Sequence, residues 1–228
     1  MFKPKISKDE VNQMPLVAFE GKLTIVDDLT KVNAAIEELL QAEVVGIDTE
    51  TKPSFTRGTY HKVSLVQIST LDHCFLFRLN KMPFPAELGQ FLADDKVMKI
   101  GLALRDDFSG LNRLYAFKPA NFIDLQSIVK NYGILELGLQ KIFAIIFSRK
   151  ISKAQRLTNW ESAELTEQQQ IYAATDAWAS LLIYLQLLHE KKLSKKQVEK
   201  IVLEVLAQEE MLKQQKQLEK EQSLNQQI

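Results

Sequence analysis

The sequence predicts a mixed α/β domain, a sheet with helices on its faces, and three observations lead there. Apolar runs of strand length come first, at 44–47, 63–69 and 74–79, joined by connections that suit an antiparallel meander. Two more such runs, at 99–104 and 122–123, then alternate with stretches of helical periodicity. A long helix closes the pattern, announced by Thr166 and Gln169 at capping-box spacing. With 228 residues, 46% of them hydrophobic, the chain can bury one full core and still carry an appendage.

Taken in order, Ser7 and Glu10 have capping-box spacing, so a short helix begins near Lys8. Residues 16–26 read as a hairpin turning at Glu20-Gly21. A helix is expected over 31–41, with Val32, Ala35, Ile36, Leu39 and Leu40 on one face. The three strands of the meander follow. Helices are then expected at 86–92, 107–115, 125–132 and 137–147, and the long one at 166–189. Ser194 can cap a last helix carrying Val198, Ile201, Val202, Val205 and Leu206. Beyond Lys213 the chain is nearly all Gln, Lys and Glu, and the expectation there is a frayed helix or disorder. The domain is therefore set at 1–193, with 1–30 packed on it, and the helix and tail at 194–228.

Lys plus Arg number 29, as do Asp plus Glu, so no global basic field marks a polyanionic partner. Local basic patches and metal ions would have to serve instead. Cys74 is the single cysteine, and His61, His73 and His189 are scattered, so neither an intrachain disulfide nor a structural zinc is expected. The opening MFKPKISKDE lacks the apolar core of a secretory signal, and no unbroken apolar run approaches the roughly 18 residues of a membrane span. The expected location is the cytoplasm, with no membrane partner. Neither G-x-G-x-x-G nor a Walker A pattern occurs, which excludes the common nucleotide-cofactor folds.

Chemistry concentrates in three places. Asp48-Thr49-Glu50 follows the first buried strand, and on extended chain residues i and i+2 point the same way. Two carboxylates at the edge of a core repel each other and resist desolvation; a divalent cation relieves both problems. Tyr172 and Asp176 lie four apart on the long helix, on a face shared with Ala179 and Ile183. Such a pair sits at the rim of a cleft or finds a polar partner; the alternative is a packed Tyr and a solvated Asp. Asp106 and Asp107 stand at a strand-to-helix transition, where one can cap the helix, Asp106 being suited to that, and the other can face the site. Asp124 also follows a strand and is read as the cap of the helix from Leu125. Trp160 and Trp178 are assigned to packing.

The order and spacing of these segments resemble the DEDDy group of 3′–5′ exonucleases, which includes the Werner-syndrome exonuclease domain and ribonuclease D. The first motif is VVGIDTE followed by KVSLVQIS, the second KIGLALRDDFSGL, the third LTEQQQIYAATDAW. The resemblance runs from about Val44 to Leu188. It implies a ribonuclease H-like fold of about five main strands with flanking helices, and hydrolysis of phosphodiester bonds from the 3′ end. It further implies that Asp48, Glu50 and Asp176 hold one cation, and that Asp48 bridges to a second, supported by Asp107. Tyr172 would orient the attacking water, and Mg²⁺ or Mn²⁺ would suit the all-oxygen ligand set. Around this core, Arg149, Lys150, Lys153 and Arg156 form a candidate phosphate patch. Phe55 is a candidate stacking residue, with Lys52 and Arg57 beside it. A DNA 3′ end is preferred slightly to RNA, because few residues follow the catalytic helix in which to build the extra helical domains of ribonuclease D. The alternatives are ribonuclease D-like RNA processing, a small-molecule phosphodiesterase, or a weakly catalytic module that recruits protein partners through its tail.

Overall fold

A computed structural model describes residues 1–56, 58 and 60–225. One sheet contains β1 (Lys22–Val26), β2 (Val44–Thr51), β3 (Val63–Ser69), β4 (His73–Arg78), β5 (Met98–Gly101) and β6 (Phe122–Asp124), in the order β1-β4-β3-β2-β5-β6. β2, β3 and β4 form the expected antiparallel meander. β1 joins β4 in parallel, β5 joins β2 in parallel, and β6 joins β5 in parallel. This is the mixed sheet that the alternating pattern implies, with β1 as a sixth strand on its edge.

That sixth strand corrects the hairpin expected over 16–26. Leu16 bridges Lys150 in parallel instead, and only the second half of the segment enters the sheet. Gly21 reads as a turn residue but is required for close approach. A Cβ there would lie 2.3 Å from the Asp72 carbonyl oxygen, and the neighbouring Lys22 amide donates to that same oxygen at 2.7 Å. β2 also runs further than 44–47. Pairing continues through Asp48↔Gln67 and Glu50↔Leu65, because an acidic side chain does not interrupt a backbone ladder. Asp48 and Glu50 therefore sit within β2 itself rather than just past its apolar run.

One face of the sheet is covered by α2 (Val32–Leu39) and α3 (Ala86–Ala93), whose Ile36, Leu39, Leu88 and Phe91 pack on Val45, Ile47, Val66, Ile68, Phe75 and Phe77. The other face takes α6 (Leu139–Phe147) and α7 (Glu167–Leu188). The capping box predicted for α7 is present, with the Thr166 hydroxyl accepting from the Gln169 amide. By length and composition α7 could cross a membrane, but 61% of its apolar window is buried inside the molecule, between the sheet and α6. Its approach to β2 depends on Gly46, since a Cβ there would lie 1.9 Å from the Ala177 carbonyl oxygen.

The short helix α1 (Lys8–Gln13) has its predicted capping box. Helix α4 (Leu104–Asn112) starts three residues earlier than expected, so Asp106 and Asp107 both lie in its first turn and neither caps it. The start of α4 is closed by Asp124, which accepts from the Ala103 and Leu104 amides, each at 3.0 Å. Asp124 also caps α5 (Leu125–Ile128), accepting from the Gln126 amide at 2.9 Å, as predicted. Helix α8 (Lys195–Asn225) continues through the Gln/Lys/Glu-rich tail, in which frayed or disordered chain was expected. Those residue types are good helix formers, and propensity accumulates over so long a segment. Val205 is its buried anchor.

Candidate active site

The period of two along β2 puts Asp48 and Glu50 on the face that α7 covers. The helical period puts Tyr172 and Asp176 one turn apart on the facing helix. The two elements meet closely enough that ligand oxygens of Asp48, Glu50 and Asp176 all lie within 4.8 Å of one another. Glu50 is 9% exposed, Asp176 8% and Tyr172 7%.

Burial and mutual repulsion dominate the electrostatics. Burial first, then the charges of Asp176 and Asp107, push Glu50 up to about 9, with Arg156 pulling weakly the other way. Burial lifts Asp176 to about 7 against a hydrogen bond from Tyr172 and the charge of Lys153. Asp48 is raised well above the carboxylate range by burial, then by Asp176, Asp107 and Glu50. The Tyr172 phenol is pushed far above its usual value, by burial first and then by Asp176 and Glu50, so it keeps its proton. Its ring leans on the fully buried Trp160, with centroids 6.0 Å apart. Gln169 Nε2 donates to Thr158 Oγ1 at 3.0 Å and ties the loop before Trp160 to the start of α7. Trp160 and Trp178 both pack, as expected.

Asp107 arrives from another direction. Thr49 alternates away from its two acidic neighbours, and its hydroxyl donates to Asp107 Oδ1. Burial lifts Asp107 to about 6, opposed by that Thr49 hydrogen bond and aided by Asp106 and Asp124. Asp107 is thus near enough to raise Asp48 and Glu50, yet stands outside the close trio. The donor set is entirely carboxylate oxygen and crowded with like charge, which fits hard divalent cations better than zinc.

The trio opens into a cavity of about 310 Å³ whose wall includes Tyr172, Lys153 and Arg156. The predicted basic patch divides here. Lys153 and Arg156 face the carboxylates, while Arg149 is exposed outside the cavity and the Lys150 ammonium donates to the Asn12 carbonyl. Lys52 is paired with Glu161 at 3.3 Å, and Phe55 is 84% exposed. Arg57 lies outside the described residues. Sequence reasoning missed Thr49, although it sits between the two predicted acids. It also missed Glu161, which holds both Lys52 and His61 at 3.3 Å, and the second role of Asp124. Only a knowledge of which segments meet would have found the last two.

A mixed sheet of this order, with acids on its central strand and on the helix that covers it, is a ribonuclease H-like fold. A family model described as 3′–5′ exonuclease matches residues 23–192, and the chain belongs to that family. The bifunctional 3′–5′ exonuclease/ATP-dependent helicase WRN of Mus musculus is 27% identical over 183 residues, which cover 76% of this chain and 13% of the mouse protein. Among solved structures, the Nibbler EXO domain of Aedes aegypti superposes with a TM-score of 0.69 at 21% identity, over 81% of this chain and 99% of that one. Ribonuclease D of Escherichia coli superposes at 0.67 with 22% identity, over 74% of this chain and 44% of that one. The chain thus spans a small part of the mouse protein and under half of ribonuclease D.

Proposed function

We propose that this chain is an active 3′–5′ exonuclease that releases nucleoside 5′-monophosphates with the help of two divalent cations, Mg²⁺ or Mn²⁺. The observation that carries the proposal is the convergence of Asp48, Glu50 and Asp176 within 4.8 Å. These three would hold one cation, and Asp48 with Asp107 the other. Divalent cations bound there would supply charge compensation for the anionic diester and for the leaving oxygen. The protonated Tyr172 phenol, one turn from Asp176 on the same helix, would orient water for attack on phosphorus. Lys153 and Arg156, in the cavity wall, would meet the phosphate oxygens. Water adds to the phosphorus, the bond to the 3′-oxygen breaks, and the shortened strand keeps a new 3′-hydroxyl.

We put DNA first as the substrate to be tested. The second reading is RNA, since a solved relative, ribonuclease D of Trypanosoma brucei, is in complex with RNA U12. The test is a time course on 5′-labelled single-stranded DNA, recessed duplex DNA and RNA with Mg²⁺ or Mn²⁺. The expected result is a ladder shortening from the 3′ end, stronger on DNA and lost in Asp48→Ala. A ladder on RNA alone would reverse the order of substrates, and no release from any strand would overturn the proposal.

A further inference from the structure

Gln67 is fully buried, and neither its amide nitrogen nor its carbonyl oxygen has a hydrogen-bond partner. Stripping water from a carboxamide without replacing its bonds is unfavourable, and folded interiors seldom keep such a group without a use for it. Its location supplies the use. In the β2–β3 ladder Gln67 stands directly opposite Asp48, and opposed residues of an antiparallel pair project from the same face with Cβ atoms about 5 Å apart. That separation is within reach of a glutamine side chain.

The other groups on this face leave few partners. By register, β3 contributes Leu65 and Ser69, and Leu76 of β4 stands opposite Gln67. The Ser69 hydroxyl already donates to the Thr70 carbonyl. Helix α7 adds Tyr172, Ala173 and Ala174 to the same cluster as Leu65 and Leu76, which also holds Cys74 and Trp160. The carboxylates of Asp48 and, diagonally, Glu50 are the charged acceptors that the β2–β3 register sets beside Gln67.

We infer that Gln67 is a positioning residue for Asp48: its Nε2, unpartnered in this structure, would donate to one oxygen of the Asp48 carboxylate when the other oxygen holds a cation, and so fix which oxygen faces the ion. The inference rests on the cation-dependent reading of the site. A side chain retained only for packing would be replaced by methionine without consequence for cations, and the loss of an unpaired amide would leave the fold as stable or more so.

The test is calorimetric titration of the full chain with Mn²⁺, for the wild type, Gln67→Met and Asp48→Asn, with melting temperatures taken in chelator. Gln67→Met is expected to bind Mn²⁺ about tenfold more weakly, the size usual for a residue that orients a metal ligand. Its cation-free melting temperature should be unchanged or higher. Wild-type affinity in Gln67→Met would overturn the inference and leave the site reading standing. No Mn²⁺ binding by the wild type, or undiminished binding by Asp48→Asn, would overturn both. If Gln67→Met does not fold, the wild type still decides by NMR. The Gln67 side-chain amide should shift and slow its hydrogen exchange as Mg²⁺ is added, and an unmoved resonance would overturn the inference.

Discussion

Tyr172 and Asp176 illustrate how one residue sets the work of another. The phenol donates to the carboxylate one turn along the helix, and its own burial keeps it protonated. Removing only the hydroxyl should misplace the attacking water without disturbing strand binding. Tyr172→Phe is therefore expected to lower kcat by about 100-fold, the scale of a small misplacement in a reacting pair, with KM nearly constant. Single-turnover and steady-state assays on one labelled strand would measure both; an unchanged kcat would remove Tyr172 from the mechanism. At this scale much of the site was legible beforehand. A period of two along a strand and of four along a helix is local information, and it brought out Asp48, Glu50, Tyr172 and Asp176. Thr49 and Glu161 were not legible, because what distinguishes each is a partner many residues away: Asp107 for the one, and Lys52 with His61 for the other.

Among the elements, the contact of α7 with β2 determines whether the acids meet at all. Gly46 lets the helix backbone lie against the strand, and Ala177 is one residue beyond Asp176. Gly46→Ala would force the two apart. The expected outcome is a loss of about 1–3 kcal/mol in urea denaturation, typical of overpacking, together with reduced nuclease activity as Asp176 moves from Asp48. Wild-type stability in that variant would show that the contact yields easily. Asp124→Ala would act through α4, leaving the Ala103 and Leu104 amides without their acceptor. A loss of about 1–2 kcal/mol, the size of a lost helix cap, is expected by the same measurement. Most strands and helices after residue 30 were legible in kind because they are long or strongly periodic, whereas the short β6 and α5 were marked by an apolar pair and by the Asp124 cap. Boundaries moved where a distant residue supplied the cap, as Asp124 does for α4. The segment before β1 was misread because Gly21 suits a turn and a tight contact equally well.

For the molecule as a whole, the crowded acids make stability depend on pH and cations together. Asp107, Asp176 and Glu50 are raised to about 6, 7 and 9, whereas unfolded carboxyl groups titrate near pH 4. The folded chain binds more protons across that interval, so the stability these groups contribute is whole below about pH 4 and is lost as pH rises through the folded values. In chelator, the melting temperature should fall between pH 5 and pH 9, and fall less in Glu50→Gln. Added Mg²⁺ should reverse the trend, since cations bind the ionised acids and stabilise the form that holds them. Thermal melts at four pH values, with and without Mg²⁺, would check this, and parallel curves for wild type and Glu50→Gln would refute it. The amino-terminal strand of chain acts on the same whole-molecule scale. The Pro4 carbonyl accepts from Leu135, the Ile6 amide donates to Glu136, and the Lys5 ammonium reaches Glu209 on α8 at 2.5 Å. Residues 4–6 thereby lace a late helix to the body of the domain, so deleting them would loosen the hold on α8.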